Sequence, residues 1–288
     1  MDYFFNIAGI KIKIFSEIEI CWNQYIQRFR MSPCVRYDEY YECRCADRFS
    51  IEGTLVYQNE WQKIYKHGAY EERLHFFWGQ KEPCMLYKEL PDRKIIYLHN
   101  NFRESFLRED NYCIFNAMAL EKVLMKHKAI ILHSSYIIYK QKAILFTAPS
   151  GTGKSTQASL WERYRDAVIV NGDRTILCER DGEVYAYGMP VCGSSDICLN
   201  QNAPVHAIIY LSQSPKNEIQ QISLKQRIKY LISETTINFF DAEYLNQAIE
   251  VLTRIAQKVD MFSFSCTKEK DAVETLGNYL EGNILGSN

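Results

Sequence analysis

Phe146-Thr147-Ala148-Pro149-Ser150-Gly151-Thr152-Gly153-Lys154-Ser155-Thr156 decides how this chain is read. An apolar run, Lys142 to Thr147, leads into it and reads as a buried strand. Gln157-Ala158-Ser159-Leu160-Trp161-Glu162 follows and reads as the first turns of a helix. Strand, glycine-containing loop, Lys-Ser and helix make up the pattern of a phosphate-binding loop, or P-loop. Glycines without a side chain let backbone turn tightly and come close to a phosphate, the role expected of Gly151 and Gly153. Successive backbone N–H groups then point into one concavity, and the positive end of the new helix adds to their pull on an anion. Lys154 is expected to reach the outer phosphates and the Ser155 hydroxyl to ligate Mg²⁺.

The pattern usually begins with glycine, and here that place is held by Ala148. The tight part, Ser150 to Ser155, is intact. The plain alternative is a Gly/Ser/Thr turn that binds nothing. Gly-Lys-Ser-Thr at a strand-to-helix junction favours the phosphate reading, so Ala148 to Thr156 is expected to form the nucleotide-binding loop.

Outward from this loop, hairpins surround the central strand. Ala129 to His133 and Tyr136 to Tyr139 read as two strands, and Lys140-Gln141 turns the chain into Lys142. After the loop, Ala167 to Val170 ends in Asn171-Gly172-Asp173. Thr175 to Cys178 and Val184 to Tyr187 flank the Asp-Gly turn at residues 181 and 182. Hairpins beside a phosphate loop predict a mixed sheet, because a purely parallel one would need helical crossovers. Val205 to Leu211 reads as a further buried strand. Helical spacing marks Ser223 to Glu234, a longer helix starting at an Asp241 N-cap, and Lys268 to Leu280. Met261 to Cys266 reads as a closing strand, and the tail from Gly282 as loose.

Three side chains outside the loop suit phosphate chemistry. Asp173 ends an apolar strand, where a carboxylate can hold Mg²⁺ or accept a proton from an attacking hydroxyl. It reads equally as a turn residue after Gly172. Arg174 is either a partner for phosphate charge or a surface cation. His133, at the predicted end of a strand beside the central one, suits a general base or a hydrogen-bond donor to phosphate. A lone histidine at a strand end is more often structural.

The rest of the composition sets bounds. The chain has 288 residues, 47% of them hydrophobic, enough for one large domain or two smaller ones. A net charge of −1 gives no global attraction to nucleic acid or anionic membrane. No apolar run reaches the ~20 residues that span a bilayer. The first residues show no secretory signal, so the expected location is the cytoplasm. Ten cysteines are scattered, and Cys43-x-Cys45 is too close for usual zinc or redox spacing, so reduced thiols are expected. Residues 1 to about 105 read as short strands in an antiparallel meander, with isolated structural histidines at 67, 75 and 99. A helix over residues 110–128 is expected to bridge this part to the next. The predicted domains are 1–108, β-rich, and 109–288, carrying the loop.

From about His133 onward the chain resembles the HPr kinase/phosphorylase and phosphoenolpyruvate carboxykinase-like P-loop group. The resemblance lies in Ser150-Gly151-Thr152-Gly153-Lys154-Ser155, the hairpin before it, His133 upstream and Gly172-Asp173 downstream. It looks most like the small HPr-kinase-like proteins of peptide-modifying gene clusters, given Gly188-Met189-Pro190, Gly193 and Asn202-Ala203-Pro204-Val205. It implies an α/β fold: a mixed-sheet P-loop core with flanking helices, beside the β-rich N-terminal domain. HPr kinases carry two aspartates where this chain has Gly172-Asp173. The general base therefore falls to Asp173, or to His133 if Asp173 is committed to metal.

The resulting expectation is a Mg²⁺-dependent phosphotransferase using ATP or another nucleoside triphosphate. Lys154, Asp173 and His133 would be its catalytic groups, with Ser155 and Asp173 on the metal. The acceptor would be a hydroxyl on a peptide or protein, met by the Gly188 to Asp196 loop. Neither nucleic acid nor membrane is expected as a partner, and a homo-oligomer stays open. The alternative is an ATP-binding regulatory or peptide-docking module without transfer. Carboxykinase chemistry is disfavoured, because its extra metal ligands and arginines cannot be located.

Overall fold

β1 (Asp2–Ile7) and β2 (Ile10–Ser16) alternate apolar and polar residues and pair as an antiparallel hairpin. The computed structural model describes residues 1–285 except Trp78, Asp110 and Ser194. The chain divides into two compact units, Met1–Val123 and Leu124–Asn288.

In the first unit the short helix α1 (Gln24–Gln27) precedes β3 (Glu39–Ala46). Five more strands follow: β4 (Thr54–Gln58), β5 (Gln62–His67), β6 (Tyr70–Phe76), β7 (Pro83–Glu89) and β8 (Lys94–His99). The sheet runs β1-β2-β3-β8-β7-β6-β5-β4. The antiparallel meander expected from the sequence holds only from β4 to β8. β3 lies parallel to both β2 and β8, so the sheet is mixed. The reason is topological: the segment carrying α1 crosses over and returns β3 in the same direction as β2, where a tight turn would have reversed it.

The apolar side chains of this unit meet in an aromatic cluster. Trp22 and Phe115 pack edge-on against Phe5, with ring centroids 5.1 Å away in each case. The predicted 110–128 helix is divided. After α2 (Arg103–Arg108), α3 (Tyr112–Ala117) ends and α4 (Leu120–Lys126) begins across Ala119, whose φ is +50°. A left-handed residue cannot continue an α-helix. The Tyr41 hydroxyl donates to the Met118 carbonyl at this break (2.9 Å). The unit boundary falls inside α4.

The second unit holds β9 (Ala129–Tyr139), β10 (Lys142–Thr147), α5 (Lys154–Arg165), β11 (Val168–Asn171), β12 (Arg174–Arg180) and β13 (Glu183–Tyr187). It continues with β14 (Asn202–Gln213), β15 (Glu218–Gln221), α6 (Leu224–Glu234), α7 (Ala242–Lys258), β16 (Asp260–Cys266) and α8 (Lys270–Leu285). The tail beyond Leu285, expected to be loose, lies outside the described residues, and α8 covers its first part. The two strands expected at 129–139 are one. Ser134 and Ser135 do not break it, because both hydroxyls are buried and paired, to Thr175 Oγ1 and the Gly172 carbonyl (2.8 Å each). His133 is thus inside a strand.

β10 is antiparallel to β9 and parallel to β14, and β14 is parallel to β16. The mixed sheet expected here is present. β9, β12, β13, β14 and β10 close a circuit of pairings, made by two long strands that each serve different neighbours along their length.

Alternation along β10 assigns its two faces. Ala143 and Leu145 pack with residues of α6 and α7, and Ile144 and Phe146 with residues of α5 and α8. A strand buried on both sides is why Lys142 to Thr147 reads as an unbroken apolar run. Asp241 caps α7 as expected, accepting from Glu243 and Tyr244 N–H. All ten cysteines are free. Among the described residues no helix is long and apolar enough to cross a membrane.

Candidate functional site

The 148–156 loop leaves the C-terminal end of β10. Gly151 and Gly153 have φ of +78° and +114°, which an L side chain would resist. Gly153 is the N-cap of α5, and its carbonyl accepts from Gln157 N–H. Thr152 Oγ1 donates to the Pro149 carbonyl at 2.8 Å and tightens the turn. Pro149, Ser150, Gly151, Ser155 and Thr156 are exposed, while Ala148 is fully buried. Ala148 belongs to the cluster with Phe146, Ala158 and Trp161, so the residue that replaces the usual glycine is absorbed by the core.

Lys154 is buried, and its Nζ donates to the carbonyls of Ala148 (2.8 Å) and Pro149 (3.4 Å). Burial lowers its pKa, and the nearby carboxylates of Glu234 and Asp173 oppose that shift. The second of these comes from the turn after β11. Ser155 Oγ lies 3.4 Å from the Gly172 carbonyl, so the start of α5 touches that same turn.

The structure brings His133 and Asp173 together at this edge. His133 Nε2 is 3.4 Å from Asp173 Oδ1, and Arg174 Nε is 3.4 Å from Oδ2. The hydrogen bond from His133 holds the Asp173 carboxyl below its usual range. Burial opposes this, and the Arg174 and Lys154 charges reinforce it. The other ring nitrogen of His133, Nδ1, is 3.5 Å from Glu234 Oε2. An imidazole between two carboxylates is thus fixed in orientation at both ends.

Sequence reasoning missed Glu234. It is the last residue of a predicted amphipathic helix, where a glutamate reads as solvent-facing, yet it is buried against His133. Pairing of Leu132 with Thr235 and a hydrogen bond from Thr236 N to Ile131 O bring the end of α6 onto β9. Arg174 Nη1 reaches Thr236 Oγ1 at 3.1 Å.

Asn171 was also missed as more than a turn former. Its side chain is fully buried. Oδ1 accepts from the N–H groups of Asp173 and Arg174, and Nδ2 donates to the carbonyls of Met189 and Val191. The 188–196 loop, of which Ser194 lies outside the described residues, is thereby fastened over Asp173. Gly193 approaches so closely that a Cβ there would be 2.7 Å from Asp173 Cβ. The Asn-Gly-Asp run at a strand end was the only sequence signal of this arrangement.

Chemically, the edge offers outward-facing loop backbone, a buried ammonium, a hydroxyl and a carboxylate held by an imidazole. Ser155 and Asp173 are hard oxygen donors of the kind Mg²⁺ prefers, and both remain at least partly accessible. Among the described residues no cluster of three or more His, Cys, Asp or Glu side chains forms a complete metal set. Mg²⁺ would need oxygens from its substrate, as it commonly does.

No protein-family model matches the sequence, and no curated protein matches it. Among solved structures the chain is similar to the HPr(Ser) kinase/phosphatase from Coxiella burnetii, at a TM-score of 0.31 and 14% identity, over 54% of this chain and 97% of that one. A likeness this slight assigns no role to any residue.

Proposed function

We propose that the second unit is a Mg²⁺-dependent phosphotransferase of the HPr-kinase-like type, moving the γ-phosphoryl group of ATP to a hydroxyl of a peptide or protein. The observation that carries this reading is the convergence of His133 and Asp173 on the edge that presents Lys154 and Ser155. Residues 148–156 would cradle the phosphates, with Lys154 turning from its own loop carbonyls to phosphate oxygen. Ser155 and Asp173 would hold Mg²⁺, which neutralises phosphate charge when bound. A bond would form between the acceptor oxygen and the γ-phosphorus as the bond to the β-phosphate oxygen breaks. The hydroxyl proton would pass to Asp173, or to His133 where Asp173 is committed to the metal.

One observation favours a second reading, an ATP-binding module without transfer. The space that a second carboxylate at position 172 would enter is filled: a Cβ on Gly172 would lie 2.0 Å from Ser195 Oγ.

Incubation with γ-labelled ATP, Mg²⁺ and candidate acceptor peptides separates the two. Label on an acceptor, lost in Lys154→Ala and in Asp173→Asn, supports the transferase. Tight ATP binding with no turnover against any acceptor supports the module. Label transfer that survives Lys154→Ala overturns the loop assignment.

A further inference from the structure

We propose that the groove on the β14 side of the loop is the seat of the nucleobase, stacked on Tyr210. This rests on the nucleotide reading above and adds a base-recognition site to it. The groove has a volume of about 460 Å³ and lies between loop residues 149–152 and residues 210–213 at the end of β14. That size suits a small organic group.

Strand order argues for this flank. β10, which carries the loop, has β9 on one side and β14 on the other. His133 and the Asp173 turn occupy the β9 side, where the reacting end of a triphosphate belongs. A nucleotide lying across the strand ends then carries its base to the opposite side. There the groove shares four residues with the loop, so phosphates and base would be held by one continuous surface.

The walls suit a flat, polar-edged ring. Tyr210 is paired with Thr147 at the end of β10 and stacks on Tyr230 of α6, with centroids 3.8 Å apart and planes within 8°. Such a pair is a fixed aromatic shelf, and every base has a π-face to lay on one. At the rim, Gln213 Nε2 donates to the carbonyls of Gly151 (3.2 Å) and Thr152 (3.3 Å). This ties the end of β14 to the loop. The exposed Gln213 Oε1 accepts no hydrogen bond among the described residues and can receive the amino group of an adenine.

The test compares MgATP with Mg-tripolyphosphate, which has the phosphates and no base, by calorimetry. Wild type is expected to prefer MgATP. Tyr210→Ala is expected to weaken MgATP by roughly 5- to 100-fold, the loss of one base–aromatic stack, and to leave tripolyphosphate binding unchanged. Tyr210→Phe keeps the stack and should keep the preference. In wild type, adenine H2 or H8 should show nuclear Overhauser contacts to tyrosine ring protons, a measurement that needs no variant to fold. Equal affinity of wild type for both ligands, or absence of those contacts in bound MgATP, overturns the base site and leaves the phosphate reading standing. Binding of neither ligand overturns the phosphate reading, and the base site with it.

Discussion

The buried side-chain amide of Asn171 accepts the Asp173 N–H at 2.9 Å, and the same amide holds the carbonyls of Met189 and Val191. One side chain therefore fixes both the carboxylate turn and the loop above it. Asn171→Asp keeps the shape but removes both donors and sets a carboxylate against two carbonyls. A loss of about 1–3 kcal/mol in stability is expected for such an unpaired buried group. Transfer should fall further than ATP affinity, because the loop residues 148–156 do not depend on this amide. Urea unfolding together with separate kcat and KM values measures both effects; unchanged stability and kcat would contradict the role.

Gly172 and Ser195 should behave as a coupled pair. Gly172→Asp places a Cβ on Ser195 Oγ and is expected to destabilise the fold. Ser195→Gly should be nearly silent alone and should recover much of that loss in the double variant. The expected coupling is on the order of 0.5–3 kcal/mol. Additive effects in the thermodynamic cycle would show that Ser195 does not exclude a second carboxylate.

In the first unit, Arg73 lies buried between Glu71 (2.6 Å) and Glu121 of α4 (2.7 Å), and Lys122 joins Glu71 to Glu89. Removing one partner strands buried charge. Arg73→Ala is expected to cost about 3–5 kcal/mol, far above an exposed pair such as Arg108 with Glu104. Comparing denaturation midpoints of Arg73→Ala and Arg108→Ala tests this, and similar midpoints would refute it.

His75 should give the first unit an acid-sensitive limb. Burial, with the Arg73 charge, moves its pKa from an ordinary 6.5 down to about 3, against a weaker pull from Glu121. Its Nε2 is buried and has no hydrogen-bond partner among the described residues, although the residue as a whole is half-buried. The fold thus holds the ring neutral, and the unfolded chain binds the extra proton. Stability from this group is complete above pH 6.5 and is lost as pH falls toward 3. His75→Phe should flatten the stability profile in that window by up to one proton's worth of slope. Profiles of equal slope for wild type and variant would show that the ring is not held neutral.

Much of the second unit was legible because its signals are local. The 146–156 stretch carries its turn chemistry in consecutive residues, and the β12–β13 hairpin announces itself by Asp181-Gly182. His133 and Asp173 were readable as candidates from residue type and position at strand ends. What misled was also local. Ser134-Ser135 looked like a break until buried partners for their hydroxyls appeared, and Ala119 gave no sequence sign of its left-handed turn.

The sequence by itself determined the loop, its glycines and lysine, and a sheet of mixed direction, since each depends on neighbours a few residues apart. Only the tertiary structure decided that Glu234 turns inward to His133, that Asn171 spans two loops, and that β3 runs parallel to β2. Those outcomes depend on which distant segments pack together. A buried glutamate and an exposed one at a helix end look identical until the opposing strand supplies the imidazole that makes burial favourable.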